Sequence, residues 1–200
     1  MKIKTRKQRL KELQSFANKG LNACVIELAE KYLIDFPKSG IAWFIYYEAL
    51  RNLCNFEEAE NALIKAIEFI QNPEENLSWL YLQMGELFED SGKFLKAIEW
   101  FQKAHEANQN EATPLIYQGR MLLRTKKYNE AAETFLKATK CNDGCIDEAF
   151  YNLGVVCIAQ RKYEEAKIYF KKALEIDPKY KEPKQQLKDV TQILAILINK

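Results

Sequence analysis

Small and aromatic residues recur along the chain at one fixed spacing. Gly85, Gly119 and Gly154 are 34 and 35 residues apart. Each glycine is followed after twelve residues by an alanine, after sixteen by a phenylalanine and after nineteen by a second alanine. These followers are Ala97, Phe101 and Ala104, then Ala131, Phe135 and Ala138, then Ala166, Phe170 and Ala173. Self-similarity at a constant period predicts an architecture of stacked structural repeats.

Within one period the apolar pattern predicts two helices. In the last period two stripes stand at helical spacing, separated by Arg161-Lys162 and ended by Asp177-Pro178. Small residues at the glycine and first-alanine positions allow the two helices to approach closely, and the phenylalanine fills the space between them. The stripes are Phe150, Leu153, Gly154 and Cys157, and Tyr163, Ala166, Phe170 and Ala173.

The period divides the chain into about five units and a tail. We predict a degenerate unit at 6–39 and further units at 40–73, 78–111, 112–145 and 147–180, with a polar connector at 72–76 that holds a four-residue excess. A terminal helix over 181–200 carries a stripe that could cap the last pair, formed by Leu187, Val190, Leu194 and Leu197. The expected fold is a single all-α domain over residues 1–200, a right-handed α-solenoid of antiparallel helix-turn-helix pairs.

These residues resemble the consensus of the tetratricopeptide repeat (TPR) family. The last unit matches it best, with Leu153, Gly154, Ala166, Phe170 and Pro178 in register, and the resemblance covers about residues 6 to 180. There are departures from the consensus. The proline position holds Gln71, Gln109 and Asp143 in three units, and the first unit has Arg9 and Glu12 where apolar residues belong.

The resemblance implies a ligand groove lined by positions 2, 5, 9, 12 and 13 of each first helix. We expect the apolar residues among them to have no role in the core, although Trp79 could instead pack into a neighbouring repeat. The acids lie in the first half of the groove and the arginines in the second, which favours a ligand with an apolar spine and oppositely charged ends. The candidate groove residues are Phe44, Glu48, Trp79, Leu82, Glu86, Glu89, Ile116, Arg120, Arg124, Tyr151 and Val155.

The family's clamp for chaperone carboxyl termini requires lysine at position 5 and asparagine at position 9, and no unit has this pair. We therefore predict a protein–protein interaction scaffold or adaptor that binds a peptide or a helical segment of a partner. One alternative is a secretion-type chaperone that shields an amphipathic segment of a cargo protein. A second is self-association as a homodimer through the last helix, at Leu187, Val190, Ile193, Leu194 and Leu197.

Composition narrows the function classes. The 30 basic and 28 acidic residues give a net charge of +2, which offers no general reason to expect a nucleic-acid partner. No apolar run is long enough for a membrane span. Five cysteines, an odd number, without an export signal predict a cytoplasmic location.

The chemistry-bearing residues do not assemble into a site in the sequence. His105 is the only histidine, and Cys141 and Cys145 lack two further ligands at a spacing suited to zinc. The sequence therefore predicts no enzyme, no catalytic residues, no metal and no cofactor.

Overall fold

The computed structural model describes residues 4–70 and 73–198. Within those ranges the chain forms eleven α-helices and no strand. The all-α fold class predicted from the periodicity is confirmed. The helices are α1 (Arg6–Asn18), α2 (Asn22–Asp35), α3 (Gly40–Asn52), α4 (Phe56–Phe69), α5 (Pro73–Asp90), α6 (Phe94–Ala107), α7 (Thr113–Arg124), α8 (Tyr128–Ala138), α9 (Ile146–Ala159), α10 (Tyr163–Ile176) and α11 (Lys181–Ile198).

The excess before the third unit is helical from Pro73 onwards. We expected a polar connector at 72–76; residue 72 lies outside the described residues, but α5 begins at Pro73 and runs for 18 residues, the length of α11 and more than any other first helix. Proline is well suited to the first helical position because its missing N–H has no partner there. The extra residues therefore lengthen α5 at its amino terminus.

The repeated glycines act as contact points between paired helices. A methyl group added at Gly154 would lie 2.4 Å from the Phe170 ring, and one added at Gly119 would lie 2.5 Å from the Phe135 ring. Both rings are fully buried. In these two units the phenylalanine of the second helix thus occupies the space left by the glycine of the first, as the sequence pattern predicted.

The turn inside each helix pair has one backbone geometry. Its central residue has a left-handed φ between 59° and 72°, whether it is glycine or not. After α1, α3, α7 and α9 the next residue donates to the carbonyl five positions back, as from Lys127 to Leu122 at 2.9 Å. This pattern is the Schellman cap that ends many helices. The central residues are Gly20, Cys54, Gly92, Lys126 and Arg161.

The first unit forms a complete helix pair despite its departures from the repeat pattern. Arg9 pairs with Asp35 and also donates to the Lys31 carbonyl at 2.8 Å. Its guanidinium lies 5.5 Å from the centroid of the Tyr32 ring, on α2. Arg9 therefore joins α1 to α2 by charge and cation–π contact where other units use an apolar side chain.

The chain folds into two compact units. Unit 1 extends to Gly92 and contains α1–α5, and unit 2 starts at Lys93 and contains α6–α11. In unit 2 the loop before α7 pairs with the loop before α9. The Asp143 N–H donates to the Asn110 carbonyl at 3.0 Å, and the Ala112 N–H donates to the Asp143 carbonyl at 2.9 Å. A proline at position 143, as in the consensus, could not donate the first of these bonds.

The last helix packs on α10 as a cap. Val190 is fully buried in a cluster with Cys157, Ala166 and Phe170. The expectation that Val190 could form a homodimer contact is therefore wrong, because the chain's own core covers it. Leu187 and Leu194 are partly buried against the same cluster, whereas Leu197 is 52 % exposed.

Candidate functional site

An aromatic pair stands on the first helices of unit 1. The ring centroids of Phe44 on α3 and Trp79 on α5 are 4.7 Å apart, and Trp79 remains 44 % exposed. Phe44 also contacts Tyr47, at 5.4 Å between ring centroids. We call Phe44, Glu48, Trp79 and Leu82 the α3–α5 surface. The sequence left open whether Trp79 packs into a neighbouring repeat or lines the groove. Its ring packs on a residue of a neighbouring helix, and almost half of its surface stays exposed.

A partly buried polar network lies one turn further along the same two helices. Tyr47 occupies the position that holds glycine in later units, and its hydroxyl donates to the Gln83 carbonyl at 3.3 Å. Arg51 donates from Nη1 to Glu86 at 2.9 Å and from Nε to Asp90 at 2.6 Å. The acidic half of the proposed groove thus contains a positively charged side chain. Glu86 and Asp90 form ion pairs with Arg51 of the same chain. The sequence interpretation counted the acids and overlooked this pairing.

Burial raises the pKa of two side chains in and beside this network, Tyr47 and Glu48. Desolvation raises the pKa of Tyr47 to about 12, against the opposing charge and hydrogen bond of Arg51. Desolvation also raises the pKa of Glu48, although Arg51 opposes it. Glu48 lines a cavity of about 210 Å³ together with Asn18, Asn22 and Asn52. A partly dehydrated carboxylate attracts a basic group more strongly than a fully hydrated one does.

Unit 2 corrects one of the predicted groove residues. Ile116 is only 2 % exposed and belongs to the core cluster that contains Leu115, Phe135 and Leu153. The expectation that Ile116 has no role in the core is therefore wrong. The helical phasing placed it on the arc of α7 that should line the groove, but neighbouring residues of the unit cover it there.

The two predicted arginines of unit 2 each lie over an aromatic ring. Arg120 is 5.2 Å from the Tyr117 ring centroid, and its Nη1 is 3.9 Å from Glu148. Arg124 is exposed and lies 5.2 Å from the Phe94 ring centroid. Desolvation raises the pKa of Glu148, and the charge of Arg120 opposes that shift.

Tyr151 and Val155 are partly covered by the end of the chain. The Tyr151 ring lies 5.9 Å from Phe170 and 5.4 Å from Tyr180, measured between centroids. Both Tyr151 and Val155 pack against the cluster around Val190. The expectation that these two residues have no role in the core therefore holds only for part of their surfaces.

The residues suited to chemistry stay scattered in the folded chain. Over the described ranges no group of three or more histidine, cysteine, aspartate or glutamate side chains is arranged to hold a metal. All five cysteines are free, and burial raises the pKa of Cys141 and of Cys145. His105 is less exposed than we expected, because its Nδ1 is buried without a hydrogen-bond partner in this part of the structure.

Solved structures share the fold at low sequence identity. The crystal structure of YrrB, "a TPR protein with an unusual peptide-binding site", is 20 % identical with a TM-score of 0.68, covering 90 % of this chain and 91 % of that one. MamA residues 41-end from Desulfovibrio magneticus RS-1 are 15 % identical with a TM-score of 0.71, covering 86 % and 95 %. The first TPR of Spaghetti (RPAP3), bound to HSP90 peptide SRMEEVD, is 24 % identical with a TM-score of 0.54, covering 59 % and 93 %.

Family models agree with the fold. Two models described as tetratricopeptide repeat match residues 82–144 and 147–180. No curated protein matches the sequence. Among the described helices, none combines the length and the apolar character that crossing a bilayer requires. The repeat period, the glycine–phenylalanine contacts, the uniform turns and the two family models lead to one conclusion: the chain is a tetratricopeptide repeat protein.

Proposed function

We propose that this protein is an interaction scaffold that binds a peptide or a helical segment of a partner protein on the α3–α5 surface. The observation that carries the proposal is the exposed Trp79 ring, held in place by Phe44. Binding energy at protein interfaces is concentrated in a few residues, among which tryptophan and tyrosine are enriched. A side chain that is already packed on one face loses little freedom when a ligand covers the other.

The charges around the aromatic pair suggest what the ligand carries. Glu86 and Asp90 are engaged by Arg51, whereas Glu48 is exposed and has a raised pKa. We therefore propose an apolar or aromatic anchor followed by a lysine or arginine that reaches Glu48. For unit 2 we keep the proposal that Arg120 and Arg124 contact acidic groups of a ligand, beside the partly open Tyr151 and Val155.

The similar structures support peptide binding as the general mode. YrrB is described by its peptide-binding site, and the RPAP3 domain was solved with a peptide bound. The peptide in that complex is the acidic SRMEEVD. Positions 5 and 9 of the unit that starts at Gly40 are Phe44 and Glu48, which offer no positive charge to a carboxylate. We therefore propose a ligand of different chemistry from that peptide. Tetratricopeptide repeat proteins are generally interaction scaffolds rather than enzymes.

Affinity purification followed by mass spectrometry tests the proposal. The full chain is compared with Trp79→Ala and with the matched control Ile64→Ala, whose side chain is 45 % exposed on α4. We expect Trp79→Ala to lower the recovery of specific partners at least roughly tenfold, as for a residue that dominates an interface. Helical circular dichroism should stay unchanged. Equal losses for both variants, or retention of every partner by Trp79→Ala, would contradict the proposal.

The two alternatives make different predictions for the same protein. A cargo chaperone should keep an otherwise insoluble partner in solution when the two are co-expressed. Self-association would now have to use the outer side of α11, where Ile196 and Leu197 are 60 % and 52 % exposed. A single monomer species in sedimentation at high concentration would exclude it. The cytoplasmic location stays a proposal, supported by five thiols that form no disulfide.

A further inference from the structure

A second cavity opens at the amino-terminal end of α3. Its volume is about 370 Å³, which lies in the range of small-molecule sites. None of its lining residues belongs to the α3–α5 surface. Its lining combines the polar residues Arg6, Lys38 and Ser39 with the apolar residues Leu10, Ile41, Phe69 and Ile70.

Ser39 places an unused hydroxyl in this cavity. It precedes the first residue of α3, is only 6 % exposed, and does not cap the helix with its side chain. Its hydroxyl has no hydrogen-bond partner among the described residues. At the start of α1, by contrast, Thr5 accepts from the Gln8 N–H and completes a capping box. Ser39 lines the cavity, so its hydroxyl can donate to an acceptor on a ligand that binds there.

The electrostatics of the cavity favour an anion. The first amides of a helix have no acceptor within the helix and carry partial positive charge. Among the lining residues that the structure describes, Arg6 and Lys38 carry charge and none is acidic, and the first turn of α3 contains no acid. The Arg6 guanidinium lies 5.2 Å from the Phe36 ring centroid, and its Nε donates to the Tyr32 hydroxyl at 3.4 Å.

We propose that this cavity binds a carboxylate joined to an aliphatic group. The Ser39 hydroxyl and the first amides of α3 donate to the carboxylate, and Lys38 and Arg6 balance its charge. The aliphatic group packs on Leu10, Ile41 and Ile70. An apolar wall of this extent favours a ligand whose non-ionic part gains by leaving water, which a bare inorganic anion does not.

Two sources could supply this chemistry. One is a free aliphatic acid, and the other is the carboxyl-terminal residue of a polypeptide that ends in an apolar side chain. Both present one carboxylate and one aliphatic group, so the cavity's own chemistry does not separate them. The experiment therefore includes one arm for each source.

Nuclear magnetic resonance titration of the full chain tests the site. Octanoate is added at moderate ionic strength, and acetate and octanamide serve as probes that lack the aliphatic chain or the charge. We expect octanoate to shift the amide signals of Ser39, Gly40 and Ile41 and to bind roughly tenfold more tightly than either partial probe. Octanamide binding as tightly as octanoate would overturn the proposal, as would the absence of shifts at these amides.

Charge variants locate the binding. Lys38→Glu replaces an attraction with a repulsion at an exposed position, and it should weaken octanoate binding roughly tenfold. Ser39→Ala should weaken it by a smaller factor, about fivefold, through loss of one hydrogen bond. Lys11→Glu makes the same charge change at an exposed position of α1 outside the cavity lining and should leave binding unchanged. Equal weakening by Lys11→Glu and Lys38→Glu would overturn the assignment.

The second arm uses an acetylated hexapeptide that ends in leucine, as the free acid and as the carboxyl-terminal amide. Binding of the acid but not of the amide, with the same shifted amides, supports a polypeptide terminus as the source. Binding of octanoate alone supports a free aliphatic acid. Failure of both probes overturns the proposal. Trp79→Ala should not alter octanoate binding. The test of this cavity is therefore independent of the test of partner binding on the α3–α5 surface.

Discussion

Tyr47 shows how one residue changes the chemistry of its surroundings. Later units hold glycine at this position, where a phenylalanine ring fills the space. Here the bulky side chain is itself buried and its hydroxyl joins α3 to α5 through Gln83. Arg51 then contacts the same hydroxyl at 3.4 Å and binds the acids of α5. A substitution that would disturb a later repeat therefore supports a polar network in this one.

The raised pKa of Tyr47 predicts a loss of stability in alkali. The folded state keeps the phenolic proton up to about pH 12, whereas the unfolded chain releases it near pH 10. The stabilisation is therefore complete below pH 10 and is lost as the pH rises towards 12. We expect urea unfolding between pH 9 and 11 to show a steeper fall in the free energy of unfolding for the wild type than for Tyr47→Phe. Parallel pH profiles would contradict the shifted pKa.

At the scale of the elements, the left-handed residue in the turn inside each helix pair has a cost in folding free energy that can be measured. Lys126 adopts a left-handed φ of 61°, which costs about 1 kcal/mol for a residue with a side chain. Gly20 adopts the same conformation, and no atom lies within 4 Å of where its Cβ would be. The two positions therefore differ in sequence but share one backbone requirement.

We predict opposite effects at these two turns. Lys126→Gly should raise the free energy of unfolding by up to about 1 kcal/mol, because the strain is relieved. Gly20→Ala should lower it by about 1 kcal/mol through backbone conformation alone, since the added methyl meets open space. Thermal or urea unfolding measures both. Changes of the same sign in the two variants would show that the turn conformation does not decide the outcome.

The sequence predicted these elements well where one residue type has one physical purpose. Gly154 and Phe170 are paired because a ring needs the space that a missing side chain leaves, and this rule can be read directly from the spacing. The start of α5 was harder, since Pro73 suits a connector and a first helical turn equally well. The length of α5 depends on its packing against other helices, which cannot be predicted from the residue pattern of one segment.

The candidate site was less predictable because it depends on contacts between elements. The phasing of α7 placed Ile116 on the arc expected to line the groove, but its burial is decided by the helices on either side. Val190 lay on a stripe that favoured a docked cap but also allowed a dimer contact, and its neighbours on α9 and α10 place it in the core. The Arg51 network joins residues more than 30 positions apart, so no local sequence pattern could predict it.

At the scale of the whole molecule, the chain divides into its two units between Gly92 and Lys93. In repeat proteins stability is approximately the sum of local units and their nearest-neighbour terms. We predict that Leu63→Ala, a truncation at a fully buried position of unit 1, accelerates hydrogen exchange mainly in α2–α4. Leu153→Ala should do so mainly in α7–α10. Uniform acceleration of every protected amide by either variant would show that the chain unfolds as one cooperative block.

The uniform turns restrict where chain length can change. One extra residue between α7 and α8 would break the hydrogen bond from Lys127 to the Leu122 carbonyl, which sets the direction in which α8 leaves the turn and so the position of Phe135 against Gly119. The start of α5, by comparison, has absorbed four additional residues by extending a helix outwards. Tags, labels or grafted segments should therefore be inserted ahead of a first helix. The turn inside a pair offers no such freedom.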